Sequence, residues 1–179
     1  DEVCIVPERR EELTTEGGLD VAAMAGRLAP MIERLRQAHI GVSLFVEPDQ
    51  KQLAAARNAG ANHVELHTGT YARLADQDLA DPKRRRNLEL GQEAQAEVQR
   101  IRDAVKAARA LGLRANAGHG LNYVNVRPIA SISGLQWLHI GHSIVARAVM
   151  VGMARAVREM KALIAASAAK PGLRSRRKS

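Results

Sequence analysis

The stretch Leu111-Gly-Leu-Arg-Ala-Asn-Ala-Gly-His-Gly120 contains one complete transition from helix to turn, strand and polar loop. The helical pattern of residues 93–110 stops at Leu111-Gly112, and residues 114–117 then alternate small and polar side chains, which predicts a strand. The strand leads into His119, whose neighbouring glycines leave space around the ring. A histidine held at a strand end can give or take a proton near neutral pH, while the alternative is a turn histidine without a role.

Short strands alternate with amphipathic helices along the whole chain. We predict helices that begin at Asp20, at Pro48-Asp49, at about Glu93 and at Ser143, the last of which we expect to cap its helix, and we expect Pro30 to kink the first. The segment 71–90 reads as a polar, charged insertion. Predicted strands lie at residues 3–6, 41–46, 62–67, 114–117 and 135–140.

This alternation predicts an α/β fold with a parallel sheet and covering helices. No glycine-rich dinucleotide fingerprint follows any strand, so a (β/α)₈ TIM-type barrel fits better than a Rossmann fold. A barrel needs eight strands and typically about 250 residues. We therefore expect residues 1–168 to be a partial barrel domain, units four to eight, because Asp1 leads almost directly into a strand as if the chain were entered within the domain. Residues 169–179 are expected to be a basic disordered tail.

Composition narrows the functional class. Hydrophobic residues make up 46% of the chain, which is typical of a globular domain, and the single cysteine, Cys4, excludes an internal disulfide framework. No apolar run approaches the roughly 20 residues of a membrane span. The net charge of +8 is concentrated in Lys83-Arg-Arg-Arg86 and in the tail. A basic tail can bind nucleic acid, but aromatic residues are only 2% of the chain, so nucleic acid is an unfavoured partner.

Polar residues gather where the predicted strands end, which is where parallel barrels carry their active sites. Glu65 and His67 share one face of a strand, and a buried carboxylate there is either paired or functional. Gly120 and Gly141-His142 offer backbone N–H groups at helix starts, which suits a phosphate. His39 and His63 lack such a context, and His139 is interpreted as a packing residue. His67 resembles a turn element, and no compact metal-ligand spacing is present, so we expect no metal.

Six motifs, taken together and in order, resemble the pyridoxine 5′-phosphate synthase family from Val3 to about Ala165. They are Val6-Pro-Glu-Arg-Arg10, Thr14-Thr-Glu-Gly-Gly-Leu-Asp20, Val42-Ser-Leu-Phe45, Glu65-Leu-His-Thr-Gly69, Asn116-Ala-Gly-His-Gly-Leu121 and Ile140-Gly-His-Ser-Ile144. The resemblance implies a cytoplasmic (β/α)₈ barrel enzyme of vitamin B6 biosynthesis. Its reaction condenses 3-amino-2-oxopropyl phosphate with 1-deoxy-D-xylulose 5-phosphate, giving pyridoxine 5′-phosphate, inorganic phosphate and water.

The resemblance also implies roles for individual residues. His119 corresponds to the proton donor and Glu65 to a carboxylate that stabilises a transition state. Thr14 corresponds to the threonine that binds the deoxyxylulose phosphate. Gly120, Gly141 and His142 correspond to groups that bind the aminooxopropyl phosphate. Such chemistry needs acids, bases and anion sites but no cofactor.

Two departures and two rival functions accompany this resemblance. The family's first three strands, with a catalytic histidine and glutamate, have no counterpart here, so we expect the isolated chain to be inactive and its open sheet edges to favour a homo-oligomer. The segment 72–90 also looks longer than usual.

The rivals are another phosphate-binding barrel lyase or isomerase, and a non-catalytic protein that binds nucleic acid through its basic tail. A Schiff-base lyase needs a lysine at a strand end, and the predicted strands contain none.

Overall fold

A computed structural model describes residues 1–7 and 17–168. Its centre is a sheet of five strands in the order β1-β2-β3-β4-β5, and every neighbouring pair is parallel. The predicted α/β fold with five parallel strands in sequence order is therefore confirmed. The strands are β1 (Glu2–Ile5), β2 (Gly41–Val46), β3 (His63–His67), β4 (Arg114–Gly118) and β5 (Leu135–His139).

Helices connect the strands. Asp20 caps the first helix through a bond from the Ala23 N–H at 3.1 Å, as the sequence predicted, and Asp49 caps the second in the same way. The helices are α1 (Val21–Gln37), α2 (Gln50–Asn58), α3 (Gly69–Asp78), α4 (Pro82–Asn87), α5 (Gln92–Ala110), α6 (Val126–Ala130), α7 (His142–Val151) and α8 (Met153–Ala168).

One face of the sheet forms the apolar core. Alternate strand residues point to this face and pack against the buried faces of α1, α2 and α5. The strand residues are Val42, Leu44, Val46, Val64, Leu66, Ala115 and Ala117, and the helix residues include Ile32, Leu53, Ile101 and Val105. Right-handed crossovers between parallel strands in sequence order place the connecting helices on one face, and a sheet of this kind can close into a barrel with the opposite face inside.

The opposite face is polar. The register aligns Phe45, Glu65 and Asn116 across three strands, and it aligns His67, Gly118 and His139 one step further toward the carboxyl ends. Glu65, His67 and Asn116 are nevertheless buried. Polar residues buried on the interior face of a sheet are costly unless they are paired or functional, so this face is where the site is expected.

Residues 71–90, interpreted from sequence as a polar, charged insertion, contain helices that were not predicted. Most of the segment is helical, as α3 and α4, and Asp81 caps α4 with Pro82 in its first turn. The buried face of α3 consists of Tyr71, Ala72 and Ala75, whose hydrophobic signal is weak because two of the three are alanines.

The C-terminal helix also differs from its prediction. It begins at His142 rather than after Ser143, and Gly152, with a φ of 83°, divides it into α7 and α8. The hydroxyl of Ser143 donates to the Leu121 carbonyl at 2.9 Å instead of capping the helix. Pro30 lies within α1, which continues past it to Gln37. The predicted tail 169–179 lies outside the described residues.

Candidate active site

A cleft of about 860 Å³ opens at the carboxyl ends of the strands. This volume lies within the range of about 300–1,000 Å³ typical of small-molecule sites. The structure brings five of the six predicted site residues to its wall: Glu65, His119, Gly120, Gly141 and His142. Thr14, the sixth, lies outside the described residues.

The backbone presents the His119 ring to the cleft. His119 has a φ of 81°, in the left-handed region that residues other than glycine rarely adopt. The Thr68 hydroxyl lies 2.6 Å from the carbonyl oxygen of His119 and 2.7 Å from that of Gly118, and it can donate to either. A non-glycine residue held in this region costs about 1–3 kcal/mol, and such strain concentrates at functional sites.

Glu65 lies on β3 with its carboxylate 11% exposed. One oxygen, Oε2, is 2.6 Å from Nδ1 of His139 and accepts a weaker bond from the Cys4 thiol at 3.4 Å. The other oxygen packs against Gly118, where an added Cβ would collide with it. Gly118 therefore has no side chain because the carboxylate fills that space. The ion pair considered as an alternative from sequence does exist, and it leaves Glu65 on the wall of the cleft.

This carboxylate alters the proton affinity of its neighbours. The hydrogen bond with Glu65 raises the pKa of His139, while burial of the ring lowers it. The charges of Glu65 and Glu2 also raise this pKa. Burial, followed by the Glu65 charge, raises the pKa of Cys4 to about 12. The Cys4 thiol is therefore protonated at neutral pH, which makes it a donor to Glu65 rather than a nucleophile.

The start of α7 also lines the cleft. Gly141 is its N-cap, and no side chain caps the helix there. A Cβ at Gly141 would meet no atom within 4 Å, so the backbone borders open space. The first N–H groups of a helix attract anions, and His142 adds an exposed imidazole beside them. Gly120, by contrast, packs tightly, because a Cβ there would collide with Ala72.

Sequence reasoning missed three residues around this cleft. His139 was interpreted as a packing residue and His67 as a turn element, yet each ring lies 2.6 Å from a carboxylate. Glu47, the partner of His67, was not singled out at all. A period of two along β3 places His67 on the face that carries Glu65. The same period does not predict the face of His139, because the register between β4 and β5 shifts between Leu135 and Leu138.

No group of three or more histidine, cysteine or acidic residues within residues 1–7 and 17–168 is arranged to hold a metal ion. In the same ranges no helix has the length and apolar character needed to cross a membrane. The five strands contain no lysine that could form a Schiff base.

A parallel α/β sheet with a histidine, a buried carboxylate and a helix N-terminus around one cleft at the carboxyl ends of its strands is typical of parallel-barrel proteins that carry a small-molecule site at this end. Residues 1–166 match the family described as "Pyridoxal phosphate biosynthesis protein PdxJ". The chain belongs to that family.

Individual relatives agree with the family match. The chain is 58% identical over 164 residues to the pyridoxine 5'-phosphate synthase of Parasynechococcus marenigrum (strain WH8102), which covers 92% of this chain and 60% of the relative. It is 51% identical over 166 residues to the pyridoxine 5'-phosphate synthase of Prochlorococcus marinus (strain MIT 9313), which covers 92% of this chain and 61% of that relative. The synthase of Pelobacter propionicus is 47% identical over 164 residues, covering 92% and 63%. The chain thus spans about three-fifths of the length of these relatives.

Proposed function

We propose that this chain forms the larger part of a pyridoxine 5′-phosphate synthase, which joins 3-amino-2-oxopropyl phosphate to 1-deoxy-D-xylulose 5-phosphate in vitamin B6 biosynthesis. The observation that carries the proposal is the convergence of His119, Glu65 and the α7 N-terminus on one cleft in a chain of this family. The remaining two-fifths of the enzyme's length supply further strands and catalytic groups.

The proposed chemistry needs a proton donor and a stabilising negative charge. Ring closure proceeds through carbonyl addition, loss of water and proton transfers. His119 gives a proton to a leaving oxygen, and Glu65 stabilises positive charge that develops on the amine-derived nitrogen as the ring forms. The bond between Glu65 and His139 holds the carboxylate in place for that purpose.

The proposed anion sites belong to the two phosphorylated substrates. Gly120, Gly141 and His142 bind the phosphate of the aminooxopropyl substrate, supported by the open backbone at the start of α7. Thr14 binds the deoxyxylulose phosphate, a role that rests on the sequence motif. The reaction uses no cofactor, and the enzyme acts in the cytoplasm.

We further propose that the enzyme is a homo-oligomer. In the proposed enzyme the further strands would pair with β1 and β5, the sheet edges in the described ranges, so the exposure of these edges does not by itself indicate an interface. Helix α7, by contrast, carries exposed apolar side chains, with Val149 and Met150 both 80% exposed. Exposed apolar surface of this extent is typical of an interface.

The first test asks whether the chain needs the rest of the barrel. The part of the Parasynechococcus marenigrum relative that this chain does not match is here called the complementing segment, and the chain joined to it is the assembled enzyme. We expect the chain alone to form no pyridoxine 5′-phosphate from the two substrates and the assembled enzyme to form it, followed by the absorbance of the pyridine ring. Turnover by the chain alone would show that the additional strands are dispensable.

The second test separates proton transfer from phosphate binding in the assembled enzyme. His119→Asn keeps a hydrogen-bond donor but removes the imidazole, so kcat should fall about 10²–10⁴-fold while KM changes less. Gly141→Val should raise the KM for the aminooxopropyl phosphate with little loss of stability, because the added side chain enters open space. An unchanged kcat in His119→Asn would contradict the proposed role of His119.

A further inference from the structure

A second histidine–carboxylate pair lies at the ends of β2 and β3. Nδ1 of His67 is 2.6 Å from Oε1 of Glu47. The His67 side chain is only 6% exposed, while that of Glu47 is 36% exposed. The carboxylate accepts a hydrogen bond from the N–H at Nδ1. The pair therefore fixes both the orientation of the buried ring and the nitrogen that carries a proton.

Glu47 is itself held by two other parts of the fold. The backbone N–H of Gly18 donates to Oε1 at 3.2 Å, and Arg100 on α5 lies 3.5 Å from Oε2. The hydrogen bond with His67, followed by the His67 charge and these neighbours, keeps the pKa of Glu47 below its usual value despite burial. The carboxylate is therefore ionised and anchored, and it accepts the hydrogen bond from the Nδ1–H of His67.

His67 contacts the ring of His119 directly. The two ring centroids are 5.1 Å apart, with planes inclined at 59°. Phe45 lies 5.1 Å from the His67 ring and 6.3 Å from the His119 ring. Gly69 completes the contact, because a Cβ there would collide with Nε2 of His67 and lie 3.2 Å from Cδ2 of His119.

The second ring nitrogen of His67, Nε2, is buried and makes no hydrogen bond to the described residues, 1–7 and 17–168. An unsatisfied buried nitrogen costs about 1–3 kcal/mol. A phenylalanine would fill the same space without that cost, so stability alone does not account for a histidine paired with a carboxylate here.

We propose that Glu47 and His67 are positioning residues that hold the His119 ring in its reactive orientation. The inference rests on the proposed function, in which His119 is the proton donor. Glu47 fixes His67, and the fixed ring of His67, with Phe45, forms the wall against which His119 rests. A displacement of about 1 Å in a reacting group can cost about 10²-fold in rate.

The kinetic test uses the assembled enzyme. Glu47→Ala should lower kcat about 10²-fold, with KM for both substrates changed far less, because the pair acts on the orientation of His119 rather than on substrate binding. Glu47→Gln keeps an oxygen acceptor and should recover part of that loss. The matched control is Glu97→Gln, which removes the charge of the carboxylate closer to Arg100, at 2.9 Å, and leaves Glu47 and His67 intact.

A spectroscopic test does not depend on activity. In the 179-residue chain labelled with ¹⁵N-histidine, Glu47→Ala should shift the ring signals of both His67 and His119, whereas Glu97→Gln should leave them unchanged. Unchanged His119 signals in Glu47→Ala would overturn the proposal, as would an unchanged kcat in the assembled enzyme. If the assembled enzyme makes no pyridoxine 5′-phosphate, the proposed function fails, while the ring signals still decide whether the pair positions His119.

Discussion

Glu65 shares one carboxylate oxygen between donors from two different strands, Cys4 on β1 and His139 on β5. Both donors therefore lie on the edge strands of the sheet in the described ranges, far apart in sequence. The Cys4 thiol contributes a weak, permanent donor, while the imidazole contributes a donor whose charge depends on pH. The pH dependence of the cluster should therefore follow His139.

We expect His139→Gln to lower the melting temperature more at about pH 6 than at about pH 9. The folded-state pKa of His139 is raised, so its stabilising pair with Glu65 is complete below the unfolded value, about 6.5, and is lost as pH rises through the raised value. Charged groups that face the ring are Glu65 and Glu2, with the Cys4 thiol beside them.

Thermal unfolding of the unaltered chain and of His139→Gln, each at the two pH values, measures this difference in melting temperature. The control is His39→Asn, which alters an exposed histidine outside the cleft and suits its left-handed φ of 59°. An equal loss of melting temperature at both pH values in His139→Gln would contradict the assigned pair.

At the scale of elements, α3 supports the loop that carries His119. The buried hydroxyl of Tyr71 donates to the Asn125 carbonyl at 2.6 Å, and burial followed by the charge of Asp76 raises its pKa. Asp76 also accepts bonds from the side-chain amides of Asn122 and Asn125, at 3.0 Å each. Hydrogen bonds to both the backbone and the side chains of the loop after β4 thus hold this loop against α3.

Tyr71→Phe should lower the free energy of unfolding by about 1–3 kcal/mol, because it leaves the buried Asn125 carbonyl without its donor. Urea denaturation measures the change. Tyr123→Phe is the matched control, since it removes a hydroxyl that donates to the Ala156 carbonyl at 2.8 Å from a half-buried position. If Tyr123→Phe lowers the free energy of unfolding as much as Tyr71→Phe does, burial of the Asn125 carbonyl is not what determines the size of the loss.

The sequence predicted the elements well where periodicity was strong. The five strands and the caps at Asp20 and Asp49 follow from alternating apolar residues and from side chains that can bond a free N–H. Helix α3 was missed because alanines form most of its buried face. The pairs Glu65–His139 and Glu47–His67 join residues from different strands, and strand registration, which brings them together, is a property of the fold rather than of local sequence.

At the scale of the whole molecule, exposed apolar surface is concentrated on α7 and on the edge strands. Val145, Val149 and Met150 on α7 are 55%, 80% and 80% exposed. In the proposed homo-oligomer, we expect Val149→Glu to reduce the molar mass of the assembled enzyme measured by light scattering, because a charge would lie in an apolar contact. Gln92→Glu adds the same charge at an exposed position on α5 and should leave the mass unchanged. A monomeric assembled enzyme would contradict the proposed oligomer.

The order β1-β2-β3-β4-β5 has a consequence for how the protein is made. Each strand pairs with the strand that the ribosome released just before it, so no strand has to be inserted between two that are already joined. Pairing between consecutive strands keeps the sequence separation of contacts smaller than insertion of a later strand would, and growing domains acquire structure from the N-terminal side during synthesis. At each stage of translation the newest strand forms the accepting edge for the next one.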